Sequence, residues 1–387
     1  MTATDYHIKH EKDGFFVSLD SVEVNNSRIV NGYVFPLVLQ VSASDITNKK
    51  VITSLISEIS SNGTFTDLLA NHGAVLLRGF NDNSGETFSK YITAIESSRG
   101  RTPFEQIGLA GKRHKWAENV FTANEGPPNT RFYQHNEYAR YFHFPSNIHF
   151  FSHKATKNGG GGSPIAHSGE FYQRIFQEIP EFIYELANRK LISVQVYPSR
   201  TTQSSTTKGN EFYWEDEDSF GQDIDFENDS LALKKQKAER QITRLTNDFL
   251  WNEDGSLTIK QHLPAFRTHP ITGNTVFFNG ICGRFGTSKD NNALEPPYVG
   301  KNGGLYLPST YDDGTPIPLK YLEVVLRISR EIEFLHKWEE GDILLIDNYQ
   351  VSHGREPWTV GDQRIVLVSM WDDLKGFKPK EYIPTRS

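Results

Sequence analysis

The sequence has 387 residues and is poor in cysteine and positive charge. Its one cysteine, Cys282, excludes an internal disulfide and favours a reducing compartment, so a cytoplasmic location is expected. Uninterrupted apolar runs stay well short of the roughly 18 residues of a membrane-spanning helix. Residues 1–14 lack the apolar stretch of a signal peptide. The formal charge of -7 argues against nucleic-acid binding, which needs clustered positive charge.

The sequence does contain enough apolar material for a large core. Hydrophobic residues make up 37% and charged residues 23%, which excludes collagen and wholly disordered chains. No repeat or linker divides the chain, so we expect a single domain over 1–387 with its core at about 73–371. Residues 201–229 are polar and then strongly acidic, and we expect a surface insertion or a lid there.

Hydrophobic periodicity predicts a strand-rich α+β protein built around a β-sandwich, with helices outside. Alternating or short apolar runs predict strands at 28–42, 73–79, 131–155, 191–197, 275–280, 342–352 and 363–371. Helical spacing predicts helices at 47–59, 85–98, 171–186, 231–250 and 319–335, the third of them broken by Pro180.

His135 and Glu137 form the first candidate group for chemistry. If both lie on a strand, their side chains face the same side because strand residues alternate with a period of two. A histidine two residues before an acid is a weak signal on its own, although the sequence contains a single such pair. The two residues therefore need a third partner before they define a site.

His353 supplies that partner, because it follows a buried apolar stretch at 342–352. Two histidines and one carboxylate occupy one face of an octahedral iron(II) ion and leave three positions open. Zinc accepts the same three ligands, so the ligands alone leave both metals open.

Arg364 favours the iron interpretation. A hairpin between His353 and Arg364 is expected to bring both to one site, where a guanidinium can bind the end of a dicarboxylate in a bidentate pair. A zinc hydrolase has no need of that arginine. The alternative is an ordinary salt bridge at the rim of a sheet.

The glycine run 159–162 precedes Ser163. A phosphate-binding loop is rejected because no Gly-Lys-Ser/Thr follows. Two interpretations stay open: a tight loop that brings the Ser163 hydroxyl into the site, and a plain flexible turn.

Taken in order, these motifs resemble the taurine dioxygenase (TauD/TfdA) family, most closely its clavaminate synthase-like branch. The segments that carry the resemblance are 120–128, 135–137, 161–166, 268–273, 277–279, 341–348, 353–355 and Arg364.

The resemblance implies a double-stranded β-helix, or jelly roll, that uses iron(II), 2-oxoglutarate and O2. By it, His135, Glu137 and His353 are the metal ligands. Arg364 binds the distal carboxylate of 2-oxoglutarate with help from Ser163, where relatives often have threonine. Many relatives carry aspartate at the position of Glu137, and the clavaminate synthase-like branch carries glutamate.

The expected substrate is a small, carboxylate-bearing, amino-acid-like metabolite. The basic stretch 112–115 places Arg113 ahead of the first ligands, where it could capture a carboxylate; a solvated loop is the alternative. Asn124, Tyr133 and Arg355 are further candidates for binding substrate. Hydroxylation and oxidative ring closure both remain open, and ring closure of the kainoid type is one form of the latter.

Two other functions are compatible with the residues. A zinc-dependent hydrolase on the same ligands predicts no oxygen consumption. A non-enzymatic, ligand-binding sandwich predicts that His135 and His353 are ordinary buried histidines. Neither nucleic-acid nor membrane partners are expected.

Overall fold

A computed structural model describes residues 5–109, 113–123, 126–201, 212–373 and 378–385. The fold is mixed α and β and is dominated by one large sheet. None of the helices in the described parts of the chain combines the length and the hydrophobicity needed to cross a membrane.

The strands in chain order are β1 (His7–Lys12), β2 (Phe15–Ser21), β3 (Arg28–Val30), β4 (Tyr33–Phe35), β5 (Leu37–Ala43), β6 (Ala74–Arg78), β7 (Arg101–Pro103), β8 (Lys115–Ala117), β9 (Val120–Thr122), β10 (Phe132–His135), β11 (Asn147–Lys154), β12 (Ser163–His167), β13 (Leu191–Tyr197), β14 (Phe249–Trp251), β15 (Leu257–Leu263), β16 (Arg267–Thr268), β17 (Thr275–Val276), β18 (Thr310–Tyr311), β19 (Phe334–His336), β20 (Ile343–Asp347), β21 (Val351–Arg355), β22 (Ile365–Asp373) and β23 (Lys380–Glu381).

The α-helices are α1 (Lys49–Ser61), α2 (Thr64–His72), α3 (Gly85–Ser98), α4 (Ser168–Glu178), α5 (Pro180–Arg189), α6 (Leu231–Ile242), α7 (Ile281–Asp290) and α8 (Leu319–Glu331), and a short π-helical turn spans Glu217–Gly221.

The large sheet has ten strands in the order β1-β2-β5-β6-β20-β11-β22-β9-β8, with β7 also paired to β22. Its strands are antiparallel except at β5 and β6. Both faces are covered in the middle of the sheet. On β20, Ile343 and Leu345 face a core shared with α1, α2 and α3, whereas Leu344 and Ile346 face the opposite core. Burial on both faces explains the continuous apolar run that marks this strand.

A second sheet, ordered β10-β21-β12-β19, carries the residues of chemical interest. Ile165 of β12 and Val351 of β21 share one core with the inner face of the large sheet. A third sheet, β14-β15-β13-β18, adds Ile259 and Tyr197 to that same core. Strands β10 and β21, which carry His135 and His353, therefore lie in the layer that faces the large sheet.

The sequence predicts several elements closely and misplaces others. Strand β13 and helix α3 have the predicted bounds. The break predicted at Pro180 is present and separates α4 from α5, because proline is suited to the first turn of a new helix. The helix predicted at 231–250 ends at Ile242, and β14 follows.

The expected hairpin between His353 and Arg364 is wrong. Strand β21 pairs with β10 and β12, whereas β22 pairs with β7, β9 and β11. Residues 356–364 therefore connect one sheet to another.

The expected surface insertion at 201–229 is wrong for part of its length. Phe212, Trp214 and Phe220 are buried in the main core, and the indole of Trp214 packs edge-on against Trp251 at 4.9 Å between ring centroids. Acidic neighbours concealed this burial in the sequence. Residues 225–228 are exposed, and 202–211 lie outside the described residues.

Candidate active site

A cavity of about 440 Å³ lies among the second sheet, the third sheet and helix α7. His135, Glu137, His353, Ser163 and Arg364 all line it. The structure thus brings together residues that are far apart in the sequence.

Strand pairing places the two histidines side by side. In the antiparallel pair of β10 and β21, His135 is directly opposite His353, and their ring centroids are 4.6 Å apart. The Nδ1 atom of His135 is 2.8 Å from the carbonyl oxygen of Tyr133, which leaves Nε2 toward the cavity. The ring of Phe150 meets His353 edge-on at 5.0 Å and helps to hold it.

Glu137 reaches the same point by a different route from the one expected. Strand β10 ends at His135, so Glu137 lies in the following turn rather than two residues along a strand. Tyr138 has a positive φ of 55°, which reverses the chain there. The turn brings Oε2 of Glu137 to 3.3 Å from Nε2 of His353 and to 4.0 Å from Nε2 of His135.

Asn348 fixes this turn to the β20–β21 connection. Its side-chain oxygen accepts from the backbone N–H of Glu137 at 2.7 Å, and its amide nitrogen donates to the carbonyls of Glu137 and Pro145. Asn136 reciprocates by donating to the carbonyl oxygens of Asn348 and Val351. All these bonds are buried, where a lost partner costs most. Neither Asn348 nor Asn136 was predicted from the sequence as a positioning residue.

Arg113 lines the cavity and also forms an ion pair with Glu137. Its guanidinium donates to Oε1 of Glu137 at 2.8 Å, and both side chains are nearly buried. Burial by itself would raise the pKa of Glu137, but Arg113, His353 and His135 outweigh it and hold that pKa well below its usual range. Desolvation and the neighbouring His353 lower the pKa of His135 to about 4. The site therefore offers a carboxylate and a neutral imidazole at neutral pH.

The donor set fits a divalent metal ion. Ligand atoms of His135, Glu137 and His353 all lie within 4.8 Å of one another. Two ligands at right angles, each about 2.1 Å from one ion, would be roughly 3 Å apart. Two imidazole nitrogens and one carboxylate oxygen on one side leave the cavity side open, as an iron(II) facial site requires.

Arg364 enters the cavity just before β22. Its Nε donates to the carbonyl oxygen of Gly161 at 2.6 Å, and a terminal nitrogen lies 3.5 Å from the Ser163 hydroxyl. The indole of Trp338 donates to that hydroxyl at 3.1 Å. Burial and the charge of Arg355 lower the pKa of Arg364 to about 9, and within the described chain it forms no ion pair with an acid. The glycine run thus helps to hold the guanidinium.

The guanidinium of Arg355 donates hydrogen bonds to the backbone. It donates to the carbonyl oxygens of Gly126, Pro127 and Thr130 at 2.8–2.9 Å, and it lies over the ring of Phe132 at 4.0 Å. These contacts hold the 126–130 segment against β21. They give Arg355 a structural role, whereas the sequence predicted that it binds substrate.

The remaining expected substrate residues are scattered. Tyr133 lines the cavity, and its hydroxyl donates to the carboxylate of Asp290 at 3.0 Å. His114 and Lys115 are exposed while Arg113 turns inward, so these three do not form one basic cluster. Lys112 and Asn124 lie outside the described residues.

Two arginines that the sequence argument missed also line the cavity. Arg140 ends the turn after Glu137, and Arg284 lies on α7. Burial and the charge of Arg140 lower the pKa of Arg284 to about 9. The proximity of Arg140 to the first candidate pair was the only signal available in the sequence.

Comparison with known proteins assigns the chain to a class. The sequence profile described as the taurine catabolism dioxygenase TauD, TfdA family matches residues 36–371. This protein belongs to that family. It is therefore an iron(II)- and 2-oxoglutarate-dependent dioxygenase, as the resemblance implied.

The chain is also similar to particular known proteins. The chain is 29% identical to a clavaminate synthase-like protein of Arabidopsis thaliana over 339 residues, which are 87% of this chain and 93% of the relative. It is 24% identical to the dapdiamide synthesis protein DdaC of Enterobacter agglomerans, in a match that covers 88% of this chain and 94% of the relative. The crystal structure of the PvcB protein from Pseudomonas aeruginosa is 14% identical, with 96% of each chain covered and a TM-score of 0.46. The zinc hydrolase and the non-enzymatic sandwich are not favoured by the family match.

Proposed function

We propose that His135, Glu137 and His353 hold the iron(II) ion, and that Arg364 and Ser163 bind the distal carboxylate of 2-oxoglutarate. The two facing sheets would then be the halves of a double-stranded β-helix. The observation that carries this proposal is the convergence of two imidazoles and one carboxylate on a cavity that also holds Arg364.

We further propose that the enzyme oxidises a C–H bond of a small, carboxylate-bearing, amino-acid-like metabolite, by hydroxylation or oxidative cyclisation. Iron(II) with 2-oxoglutarate and O2 supplies the oxidising chemistry, and the chain supplies orientation and exclusion of water. Arg113 keeps Glu137 ionised, and Asn348 fixes its backbone. The aromatic rings of Phe132 and Phe150 contribute apolar wall to the cavity.

Metal titration tests the ligand assignment. Purified protein is titrated anaerobically with iron(II), and the same titration is made on His135→Ala and on His262→Ala, a matched control that is exposed on β15 and does not line the cavity. We expect His135→Ala to lose tight binding and His262→Ala to keep it. Equal iron affinity in all three proteins would contradict the proposed site.

Oxygen consumption tests the chemistry. With iron(II) and 2-oxoglutarate, the wild type should consume O2 and form succinate, at least slowly without substrate. Glu137→Ala should form none, because a carboxylate ligand is missing. Succinate formation that survives Glu137→Ala, or that depends on zinc instead of iron, would reject the proposal.

A further inference from the structure

The cavity has a large excess of positive charge. Five arginines line it, whereas Glu137 is the sole acid among its described lining residues. Arg113 neutralises Glu137, Arg355 donates to backbone carbonyls, and Arg364 is proposed to take 2-oxoglutarate. Arg140 and Arg284 remain without an assigned role.

Arg140 has no polar partner in the described part of the chain. No hydrogen bond or ion pair to it is present there, although it lies close enough to His135 to repel its charged form. Its aliphatic stem packs against Gly280, where a Cβ atom would lie 2.9 Å from Cγ of Arg140. The absence of a side chain at Gly280 therefore leaves room for Arg140 along the start of α7.

Arg284 lies on helix α7, four residues after Gly280. It donates to the carbonyl oxygen of Val194 at 2.9 Å and makes longer contacts with the carbonyl oxygens of Leu307 and Pro308. No carboxylate pairs with it among the residues that the structure describes. Carbonyl oxygens orient the guanidinium without neutralising its charge, and a charged group away from water needs an opposite charge nearby.

The two arginines form a pair that is separate from Arg364. Arg140 packs against Gly280 at the start of α7, and the backbone N–H of Arg284 donates to the carbonyl oxygen of that same Gly280 at 3.0 Å. Arg364 is held by the glycine run before β12, whereas Arg284 is held by β13 of the third sheet. Anionic groups can thus bind at two different walls of one cavity.

We infer that Arg140 and Arg284 form an anion site that binds a carboxylate of the oxidised substrate. This inference rests on the proposed function for the identity of the substrate, and it replaces Arg113 and Arg355 as the residues expected to select it. Paired guanidiniums suit a carboxylate because each supplies several donors in a fixed plane. Leu305 and Leu307 supply apolar surface beside the pair.

A binding experiment on metal-free protein separates this inference from the proposed function. The probes are N-acetyl-L-leucine and its uncharged amide, N-acetyl-L-leucinamide, which differ only in the carboxylate. Binding is measured by isothermal titration calorimetry to the wild type, Arg140→Gln, Arg284→Gln, Arg364→Gln and Arg327→Gln. Arg327 lies exposed on α8 and serves as the matched surface control.

We expect the carboxylate probe to bind the wild type, Arg364→Gln and Arg327→Gln alike. Arg140→Gln and Arg284→Gln should each weaken it by about tenfold or more, because a charged hydrogen bond is lost. The amide should bind weakly to every protein.

Several results would overturn the inference: no binding of the acid to the wild type, equal binding of acid and amide, or loss only in Arg364→Gln. If Arg284→Gln does not fold, Arg284→Lys keeps the charge, and Arg140→Gln decides alone. Iron binding and succinate formation are not needed for any of these outcomes, so failure of the proposed function would be seen separately.

Discussion

At the scale of single residues, the five cavity arginines have different roles because each has different neighbours. Arg113 pairs with a carboxylate, Arg355 with carbonyl oxygens, and Arg364 with a carbonyl and a hydroxyl. Residue type alone could not assign these roles. A guanidinium's function depends on which acceptors already occupy its donors.

Arg364 and Arg355 should respond differently to the same substitution. Arg364→Gln should weaken binding of 2-oxoglutarate about tenfold or more, because its donors face the cavity. Arg355→Gln should instead lower the free energy of unfolding by about 2–4 kcal/mol, because three backbone carbonyls lose a buried donor. Calorimetry with manganese-loaded protein and urea unfolding measure the two effects. A stability loss confined to Arg364→Gln would contradict this assignment.

Asp342 immediately precedes β20, and its ion pair stabilises the folded protein in a pH-dependent way. Arg78 donates to both of its carboxylate oxygens at 2.7–2.8 Å, and His336 lies 3.3 Å away. Burial would raise the pKa of Asp342, but these partners outweigh it and lower that pKa. A lowered pKa in the folded state stabilises the protein above the unfolded value of about 4, and the contribution is lost as the pH falls through the folded value.

Asp342→Asn should therefore cost about 3 kcal/mol of unfolding free energy at pH 7. The difference from the wild type should shrink as the pH falls below about 4. Urea unfolding over a range of pH measures it, with the exposed Glu340→Gln as the control. A difference that is constant with pH would mean that the ion pair is not its source.

At the scale of elements, two glycines on helix α7 and one at its N-cap let the helix lie close to β10. Gly280, Gly283 and Gly286 recur every three residues and face the turn and strand that carry His135. A Cβ atom at Gly286 would lie 2.4 Å from the ring of Tyr133, whereas one at Gly283 would have ordinary contacts of 3.4 Å or more. The close approach matters because α7 also carries Arg284.

The two glycines should therefore differ when replaced by alanine. Gly286→Ala should destabilise the protein by about 1–3 kcal/mol, because the ring of Tyr133 must move. Gly283→Ala should be neutral or stabilising by up to about 1 kcal/mol, because alanine favours the helix more than glycine does. Chemical denaturation of both variants measures this contrast. Equal destabilisation would show that helix packing does not depend on that contact.

At the scale of the whole molecule, the acidic segment around Trp214 belongs to the core. Trp214 is fully buried, and its indole nitrogen donates to the carbonyl oxygen of Gly255 at 3.2 Å. Phe212 of the same segment lines the cavity. The segment therefore links the third sheet to the site.

Trp214→Ala should lower the unfolding free energy by about 3–5 kcal/mol, because it leaves a large cavity. Phe226→Ala, in the exposed part of the same region, should change it by less than about 0.5 kcal/mol. Urea unfolding measures both. A small effect of Trp214→Ala would favour a detachable surface loop instead.

The sequence by itself determined the local elements and the candidate ligands. Periodicity is a property of neighbouring residues, so α3 and β13 could be placed from it. The order of short motifs was enough to identify the family that the profile match confirms.

Only the tertiary structure decided how Glu137 reaches the two histidines, which sheet the strand after Arg364 joins and which groups each cavity arginine contacts. Each of these depends on contacts between residues far apart in the chain. The Asn348 bonds to Glu137 and the packing of Arg140 beside Gly280 are examples. Neither contact produces a local pattern in the sequence. Each side chain is held by a partner that only folding brings next to it.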